Sequence, residues 1–275
     1  MKISKAIKIP KKLSNNQAVD YFESWGLINI LKNTQNTYSK NKEVYRKLIT
    51  SKLPYGPELN DLYRLHSTII LNKRLTVLEF GSGWSSLIIA HALNVNKKKY
   101  EKQSKKIRKL NKFELHILEN EKKFLNISKK RIQKFLGKKN NVHFHFSNCK
   151  MAKFEGKICT EYEKIPLINP DFIYLDGPDQ LNIKNSINGF SIKHHDMMPM
   201  VSDILKIESF LIPGTIIIAD GRTANSLFLK NHFVRNWIYE YDKKNDQNIF
   251  FLNDTSLGPI NDRQKKFYLN VKIIS

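Results

Sequence analysis

The sequence predicts a doubly wound α/β fold, in which a mainly parallel sheet carries helices on both faces. Short runs of apolar and β-branched residues alternate along the chain with segments of helical spacing. Such alternation is typical of parallel sheets with right-handed crossovers. Acids and glycines also recur where the apolar runs end, which is the edge where such a sheet binds its ligands.

Residues from about Ala18 to Asn72 place apolar side chains at helical spacings and predict a helical N-terminal segment. The stretch from Leu53 to Glu58 interrupts it with two prolines flanking a glycine. Gly137 ends a later helix, and a hairpin is expected around Lys243 to Gln247. The predicted strands cover residues 75–80, 113–119, 141–148, 170–179 and 213–221, and the predicted helices cover 84–93, 121–137, 195–211 and 224–237.

These patterns divide the chain into a helical cap at residues 1–73, an α/β domain at 74–255 and a tail at 256–275. A basic spacer from Val95 to Lys112 shows little apolar periodicity and has no predicted role.

Composition predicts a folded protein with a strongly basic surface. The 275 residues are 41% hydrophobic, and 47 basic against 25 acidic residues give a formal net charge of +22. Such a surplus attracts polyanions, although the lysines are scattered through the chain. Cys149 and Cys159 are too far apart for a CxxC pair, and we expect reduced thiols. The sequence shows neither a secretory signal nor a bilayer-spanning run, so we expect a cytoplasmic protein without a membrane segment.

A glycine turn joins the first predicted strand to its helix in the stretch LEFGSGWSS, residues 78–86. Gly81 and Gly83 lack a Cβ, so the backbone can turn sharply and a ligand can approach it closely. A dinucleotide site would carry a third glycine where this chain has Ser86. Glu79 would repel a pyrophosphate, whereas it would attract a ligand that carries an amino group or a sulfonium.

Glu119 ends the second predicted strand. A carboxylate at this place can accept hydrogen bonds from both hydroxyls of a ribose. The alternative is a solvated acid that caps the next helix together with Glu121. The combination of Glu119 with Glu79 and the glycines favours the ribose.

Four stretches in this order resemble the successive motifs of class I S-adenosylmethionine-dependent methyltransferases: VLEFGSGWSS, LHILEN, FIYLDGPD and GTIIIADG. The resemblance covers roughly Leu75 to Asn253. It implies a Rossmann-like sheet of seven strands whose last pair is a β-hairpin, with S-adenosyl-L-methionine as the cofactor. It also implies that residues 74–255 form the methyltransferase domain and that the N-terminal helices cap the substrate side.

The resemblance further implies roles for the strand ends. The glycine loop would hold the methionine part of the cofactor, the acid after the second strand would bind the ribose, and the residue after the third strand would lie by the adenine. The predicted cofactor-binding residues are Glu79, Gly81, Ser82, Gly83, Glu119, Asn120, Ser147, Asn148 and Asp176.

Asp176 and Asp220 end neighbouring inner strands and resemble the acids of metal-dependent O-methyltransferases of the catechol type. In that family a divalent ion lowers the pKa of the substrate hydroxyl. The family follows its second Asp with Asn or Asp, whereas Gly221 stands here, so a divalent metal is an open alternative. The candidates for a third ligand are Asp179, His194, His195 and Asn225.

The stretch SIKHHDMM supplies His194 and His195, and a neutral His is a natural base for a hydroxyl. Alternatively, Asp196 is a helix N-cap and the histidines belong to a polar loop. Arg222 could clamp a carboxylate or phosphate of the substrate, or pair with a nearby acid. The predicted catalytic residues are Asp176, His194, His195 and Arg222.

The leading hypothesis is a methyltransferase acting on a hydroxyl of a small molecule or a glycan, with an anionic acceptor as one option. The stretch LDGPDQ lacks the Asn/Asp-Pro-Pro-aromatic motif of methyltransferases that act on exocyclic amines. An RNA-modifying methyltransferase is the alternative, and it predicts that the basic residues 97–108 lie beside the cleft. A non-catalytic binder or a dehydrogenase on the same fold is the third hypothesis.

Overall fold

The computed structural model of the protein describes residues 3–32, 56–138, 140–194 and 196–269. The strands are β1 (Thr76–Phe80), β2 (Glu114–Glu119), β3 (Val142–Phe146), β4 (Cys149–Phe154), β5 (Lys157–Tyr162), β6 (Phe172–Leu175), β7 (Ile183–Lys184), β8 (Ile216–Asp220), β9 (Trp237–Asp242) and β10 (Gln247–Leu252). The helices are α1 (Asn15–Ser24), α2 (Ile28–Lys32), α3 (Leu59–Leu71), α4 (Trp84–Ser104), α5 (Lys122–Leu136), α6 (Asp203–Ile207), α7 (Thr223–His232) and α8 (Pro259–Tyr268).

The main sheet has seven strands in the order β3-β2-β1-β6-β8-β10-β9. The first five strands in this order are parallel, while β10 runs antiparallel to both β8 and β9. The doubly wound sheet and its C-terminal hairpin are therefore confirmed. This is the fold that the resemblance to class I methyltransferases implies.

Side chains alternate across each strand and supply two apolar cores, one on each face of the sheet. On the first face, Val77 and Phe172 pack against apolar residues of α3, α4 and α5. On the second face, Leu78 and Ile173 pack against α6, α7 and a small sheet. Strands buried on both faces explain why the sequence shows continuous apolar runs there.

The small sheet, with strand order β5-β4-β7, was not predicted. Its first two strands form a hairpin whose turn residues, Glu155 and Gly156, both have left-handed φ values of 48° and 78°. Two consecutive left-handed residues are the geometry of a type I′ turn, in which Gly is favoured. The letters FEGK between two alternating runs were therefore an available signal.

Helix α4 continues to Ser104, so the first half of the basic spacer is helical rather than irregular. The helix buries Leu93, Asn96, Tyr100 and Ser104 at helical spacing. Asn96 donates from Nδ2 to the carbonyl oxygens of Ile69 (3.1 Å) and Arg74 (2.9 Å). Because Asn96 is polar, the helical spacing of the buried residues could not be recognised from the apolar residues alone.

The helix predicted over residues 195–211 is wrong in its first half. Residues 196–202 are not helical, so Asp196 is not a helix N-cap. Helix α6 begins at Asp203. The backbone around Val201 is instead held in an extended bridge to Thr160 of β5. Asn225 also accepts from the Val201 N–H (3.2 Å).

Helix α8 lies in the predicted tail and packs against the amino ends of the strands. Phe267 and Tyr268 belong to a buried cluster with Leu75 and Phe113, the residues that precede β1 and β2. Both cysteines are buried and free. None of the described helices is both long and apolar enough to cross a membrane.

Candidate functional site

The candidate site lies at the carboxyl ends of β1, β2, β6 and β8, which are neighbours in the sheet. The helix after β1 packs on the first face, through Leu87 and Ile89. The chain after β6 crosses the second face, through Ile192 and Ile204. The connections thus diverge between β1 and β6, and this switch point is where doubly wound folds form their ligand crevice.

Gly81 and Gly177 let the turns after β1 and β6 touch. A Cβ on Gly177 would lie 2.4 Å from the Gly81 nitrogen, and a Cβ on Gly81 would lie 2.9 Å from the Gly177 nitrogen. Gly81 also has a φ of +93°, which other residues rarely adopt. The first glycine of the turn therefore serves packing between strand ends. Gly83 differs, because a Cβ there would meet only Ser85 Oγ, at 3.7 Å.

We expect Gly177→Ala to lower the free energy of unfolding by about 1–3 kcal/mol, the usual cost of overpacking a close contact. The added methyl would press on backbone atoms of Gly81, which cannot rotate away. Gly83→Ala is the matched control, since its methyl enters free space. Urea unfolding followed by circular dichroism measures both variants, and equal losses would contradict the packing role.

Glu79 is completely buried at the end of β1. Its Oε1 accepts from the Ser85 hydroxyl at 2.5 Å, whereas its Oε2 has no hydrogen-bond partner among the described residues. Burial raises the Glu79 pKa to about 8, against the opposing effect of Ser85 and Ser86. Ser85 Oγ, the atom nearest the space at Gly83, links that space to a buried carboxyl with a free oxygen, which suits a ligand that brings a hydrogen-bonding cation.

Glu119 is 2% exposed, so it is not the solvated acid of the alternative interpretation. Its Oε2 accepts from the Ser82 hydroxyl (2.7 Å) and its Oε1 from the Glu121 N–H (2.8 Å). Glu121, not Glu119, caps α5 by accepting from the Lys123 N–H at 3.0 Å. Burial raises the Glu119 pKa to about 7.

The other predicted cofactor-binding side chains bond to protein groups. Asn120 Oδ1 accepts from the Asp179 N–H at 2.9 Å, which ties β2 to the loop after β6. Ser147 Oγ accepts from the Lys164 N–H at 2.9 Å. Asn148 Nδ2 donates to Glu163 at 3.0 Å. These residues shape the edge of the cleft at the ends of β2 and β3.

Asp176 follows β6, the middle strand of the sheet, and lies beside Arg222. The Asp176 side chain is 49% exposed, and its Oδ1 is 4.0 Å from Arg222 Nε. Arg222 Nη2 donates to the carbonyl oxygens of Asp176 (2.7 Å) and Pro178 (3.1 Å). Desolvation raises the Asp176 pKa to about 6, with Arg222 opposing. Arg222 thus supports the turn, and its Nη1 has no partner in the described part of the chain.

Two acids of the N-terminal segment, Glu58 and Asp61, approach this cleft. Neither was predicted from the sequence. Asp61, in the first turn of α3, has its pKa raised to about 8 by burial, by a hydrogen bond with Glu58 and by the charge of Asp220. Asp220 accepts from the Tyr174 hydroxyl at 3.1 Å, and burial raises its pKa to about 7. The letters PELND at the start of a helix predicted to cap the substrate side were the available signal.

The structure does not assemble a third metal ligand around Asp176 and Asp220. Among the described residues, no group of three His, Cys, Asp or Glu ligand atoms within 4.8 Å of one another includes either acid. Asn225 uses both atoms of its amide on the Val201 backbone. His195 lies outside the described residues.

His194 lies in an exposed loop beside the turn after β6. Gln180 holds this loop by donating to the carbonyl oxygens of His194 (3.2 Å) and Met197. The His194 side chain is 64% exposed, and its Nδ1 is 3.8 Å from Asp196 Oδ2. The ring thus contacts its own loop, and its predicted role as a base stays a prediction.

No protein-family model matches the chain, and no curated protein matches its sequence. The chain is similar in structure to an O-methyltransferase from Bacillus cereus in complex with SAH, at 14% identity, with a TM-score of 0.42, over 85% of this chain and 100% of the other. It is also similar to the O-methyltransferase TomG from Streptomyces achromogenes, involved in tomaymycin synthesis, in complex with SAM, at 12% identity and a TM-score of 0.39. That match covers 92% of this chain and 95% of TomG.

A third similar structure is cofactor-bound Rv0187 from MTB, at 12% identity and a TM-score of 0.43, over 89% of this chain and 100% of the other. At such low TM-scores and identities, similarity does not assign an activity to this chain.

Proposed function

We propose that this protein is an S-adenosylmethionine-dependent methyltransferase that acts on a hydroxyl of a small molecule. The observation that carries the proposal is the unpartnered Oε2 of buried Glu79, whose Oε1 bonds to Ser85, the side chain nearest the open space at Gly83. The amino group of the cofactor's methionine part would give this oxygen a charged hydrogen-bond donor. Glu119, one strand away, would accept from the ribose hydroxyls.

The electrostatics of the cleft support a cationic ligand. Glu79, Glu119 and Asp176 converge there: the charges of Asp176 and Glu119 help to raise the Glu79 pKa, and the charge of Glu119 helps to raise the Asp176 pKa. A dinucleotide would place a pyrophosphate against these acids. Ser86 lies in the first turn of α4, and its Oγ accepts from the Gly83 N–H at 3.1 Å. A phosphate bound at the start of this helix would need that N–H. The dehydrogenase alternative is therefore less well supported.

When bound, S-adenosylmethionine supplies an electrophilic methyl group. The chain's own contribution is to hold the acceptor in line with it and to receive the acceptor's proton. Asp176 is the half-exposed carboxylate that follows the middle strand of the sheet, and we assign it this proton. Arg222 keeps Asp176 in place through the turn that it braces, and its unpartnered Nη1 would give an anionic group of the acceptor a charged donor.

The RNA-modifying alternative requires basic residues beside the cleft. Lys97 to Lys102 lie 13 or more residues beyond Trp84 on α4, about 20 Å or more from the glycine turn at 1.5 Å per residue. Ile107, beyond them, packs in the cluster at the amino ends of the strands. This placement at the opposite end of the sheet does not favour RNA as the acceptor.

Isothermal titration calorimetry with S-adenosylhomocysteine and with NAD⁺ tests the proposal. We expect S-adenosylhomocysteine to bind and NAD⁺ not to bind. Gly83→Asp should weaken binding by at least about a hundredfold, because a new carboxylate would fill the cofactor space. Gly83→Ala is the graded control, with a smaller loss. Folded wild-type protein that does not bind the compound at millimolar concentration contradicts the proposal.

A further inference from the structure

A cluster of histidines and one acid lies on β2 and β3, away from the cleft. Glu114 and His116 share one face of β2, and His143 lies directly opposite His116 in the parallel register. We propose that Glu114, His116 and His143 bind a divalent transition-metal ion, with Zn²⁺ as the ion that this ligand set suits best.

The geometry of the three ligand atoms carries the proposal. Glu114 Oε2 lies 3.1 Å from His116 Nε2 and 3.3 Å from His143 Nε2. All three atoms lie within 4.8 Å of one another. Ligands about 2.0–2.2 Å from a tetrahedral zinc are about 3.3–3.6 Å apart, so one of these two separations matches and the other is slightly shorter. The His116 and His143 rings are stacked at 18°, so the half-exposed His143 ring would turn to point its Nε2 at the shared ion. Three protein ligands leave the fourth position for water.

Neighbouring side chains are placed to orient the ligands. His116 Nδ1 lies 3.1 Å from His145 Nε2, so the N–H on the far side of the His116 ring has an acceptor when Nε2 binds metal. Asn111 donates to Glu114 Oε2 at 2.9 Å.

The cluster is reachable from solvent but lies outside the cleft. The His143 side chain is 48% exposed, the Glu114 side chain 22% and the His116 side chain 7%. Glu114 begins β2, whereas Glu119 ends it at the cleft, five residues or about 17 Å further along the strand. The ion would therefore fasten the edge strand β3 to β2, and it would not take part in the chemistry of the cleft.

Zinc titration of protein purified without a polyhistidine tag and stripped with EDTA tests this site. We expect one Zn²⁺ per chain, a rise in the melting temperature with Zn²⁺ concentration, and a tetrahedral Co²⁺ absorption band when Co²⁺ is used instead. His143→Ala and Glu114→Gln should each weaken Zn²⁺ binding by at least about a hundredfold, and His145→Ala by about 10- to 100-fold. His232→Ala, outside the cluster, is the control and should bind as wild type does.

His143 is half exposed on an edge strand, so His143→Ala should fold, and circular dichroism checks this. Equal Zn²⁺ affinity in wild type and His143→Ala overturns the proposal, as does wild-type protein that binds no ion. The titration needs no cofactor, so its outcome is independent of whether the cleft binds S-adenosylmethionine.

Discussion

Asp171→Ala is expected to lower the free energy of unfolding by about 3–5 kcal/mol, the range for breaking a buried ion pair by removing one partner. Asp171 is completely buried at the residue before β6. Its carboxylate accepts from the Leu75 N–H (3.1 Å), the Thr76 N–H (3.1 Å) and the Tyr268 hydroxyl (2.8 Å). Lys109 Nζ lies 3.3 Å away and is buried as well.

Removing this carboxylate would leave the Lys109 cation and two backbone N–H groups buried without their partner. It would also release α8, whose Tyr268 reaches Asp171 from the end of the described chain. Guanidinium unfolding measures the change. Asp262→Ala is the matched control, because Asp262 makes a half-exposed i,i+4 pair with Lys266 at 2.8 Å, and its loss should cost less than about 1 kcal/mol. Similar losses for the two variants would show that the buried Asp171 carboxylate stabilises the fold no more than a surface ion pair does.

Glu119→Ala is expected to weaken binding of S-adenosylhomocysteine by about a hundredfold or more. Two hydrogen bonds from ribose hydroxyls to a carboxylate are worth about 1.5–3 kcal/mol each, and both would be lost. Ser82→Ala tests whether the effect comes from the ribose or from the internal bond, since Ser82 donates to Glu119 Oε2 at 2.7 Å. Ser82→Ala should change affinity much less. Calorimetry measures both, and an unchanged affinity in Glu119→Ala rules out the ribose role.

Much of the fold could be predicted from the sequence, because strands buried on both faces appear as apolar runs such as residues 75–80. The small sheet was missed because β4 and β5 interleave lysines with buried residues, so their apolar signal is weak. The end of α4 was missed because Asn96 stands at a buried position and bonds to backbone carbonyls.

The position of the candidate site in the sheet could be predicted from the sequence, but the contacts within it could not. The parallel strands bring Glu79, Glu119 and Asp176 to one edge, as the pattern predicts. The close contact of Gly81 with Gly177 depends on residues almost a hundred positions apart, which no local pattern reveals. The approach of Asp61 to Asp220 likewise depends on how α3 packs on the sheet.

The number of protons released when S-adenosylhomocysteine binds at pH 7 tests whether Glu79 recognises a cationic ligand. The Glu79 pKa of about 8 means that this carboxyl is mostly protonated in the ligand-free protein at that pH. An ammonium group beside Oε2 favours the charged carboxylate, lowers the pKa and expels the proton. Calorimetry in buffers of different ionisation enthalpy counts the protons. We predict that wild type releases up to about one proton more per ligand than Glu79→Gln does. Equal release by the two proteins, or no binding by folded wild type, would contradict the recognition of a cationic ligand by Glu79.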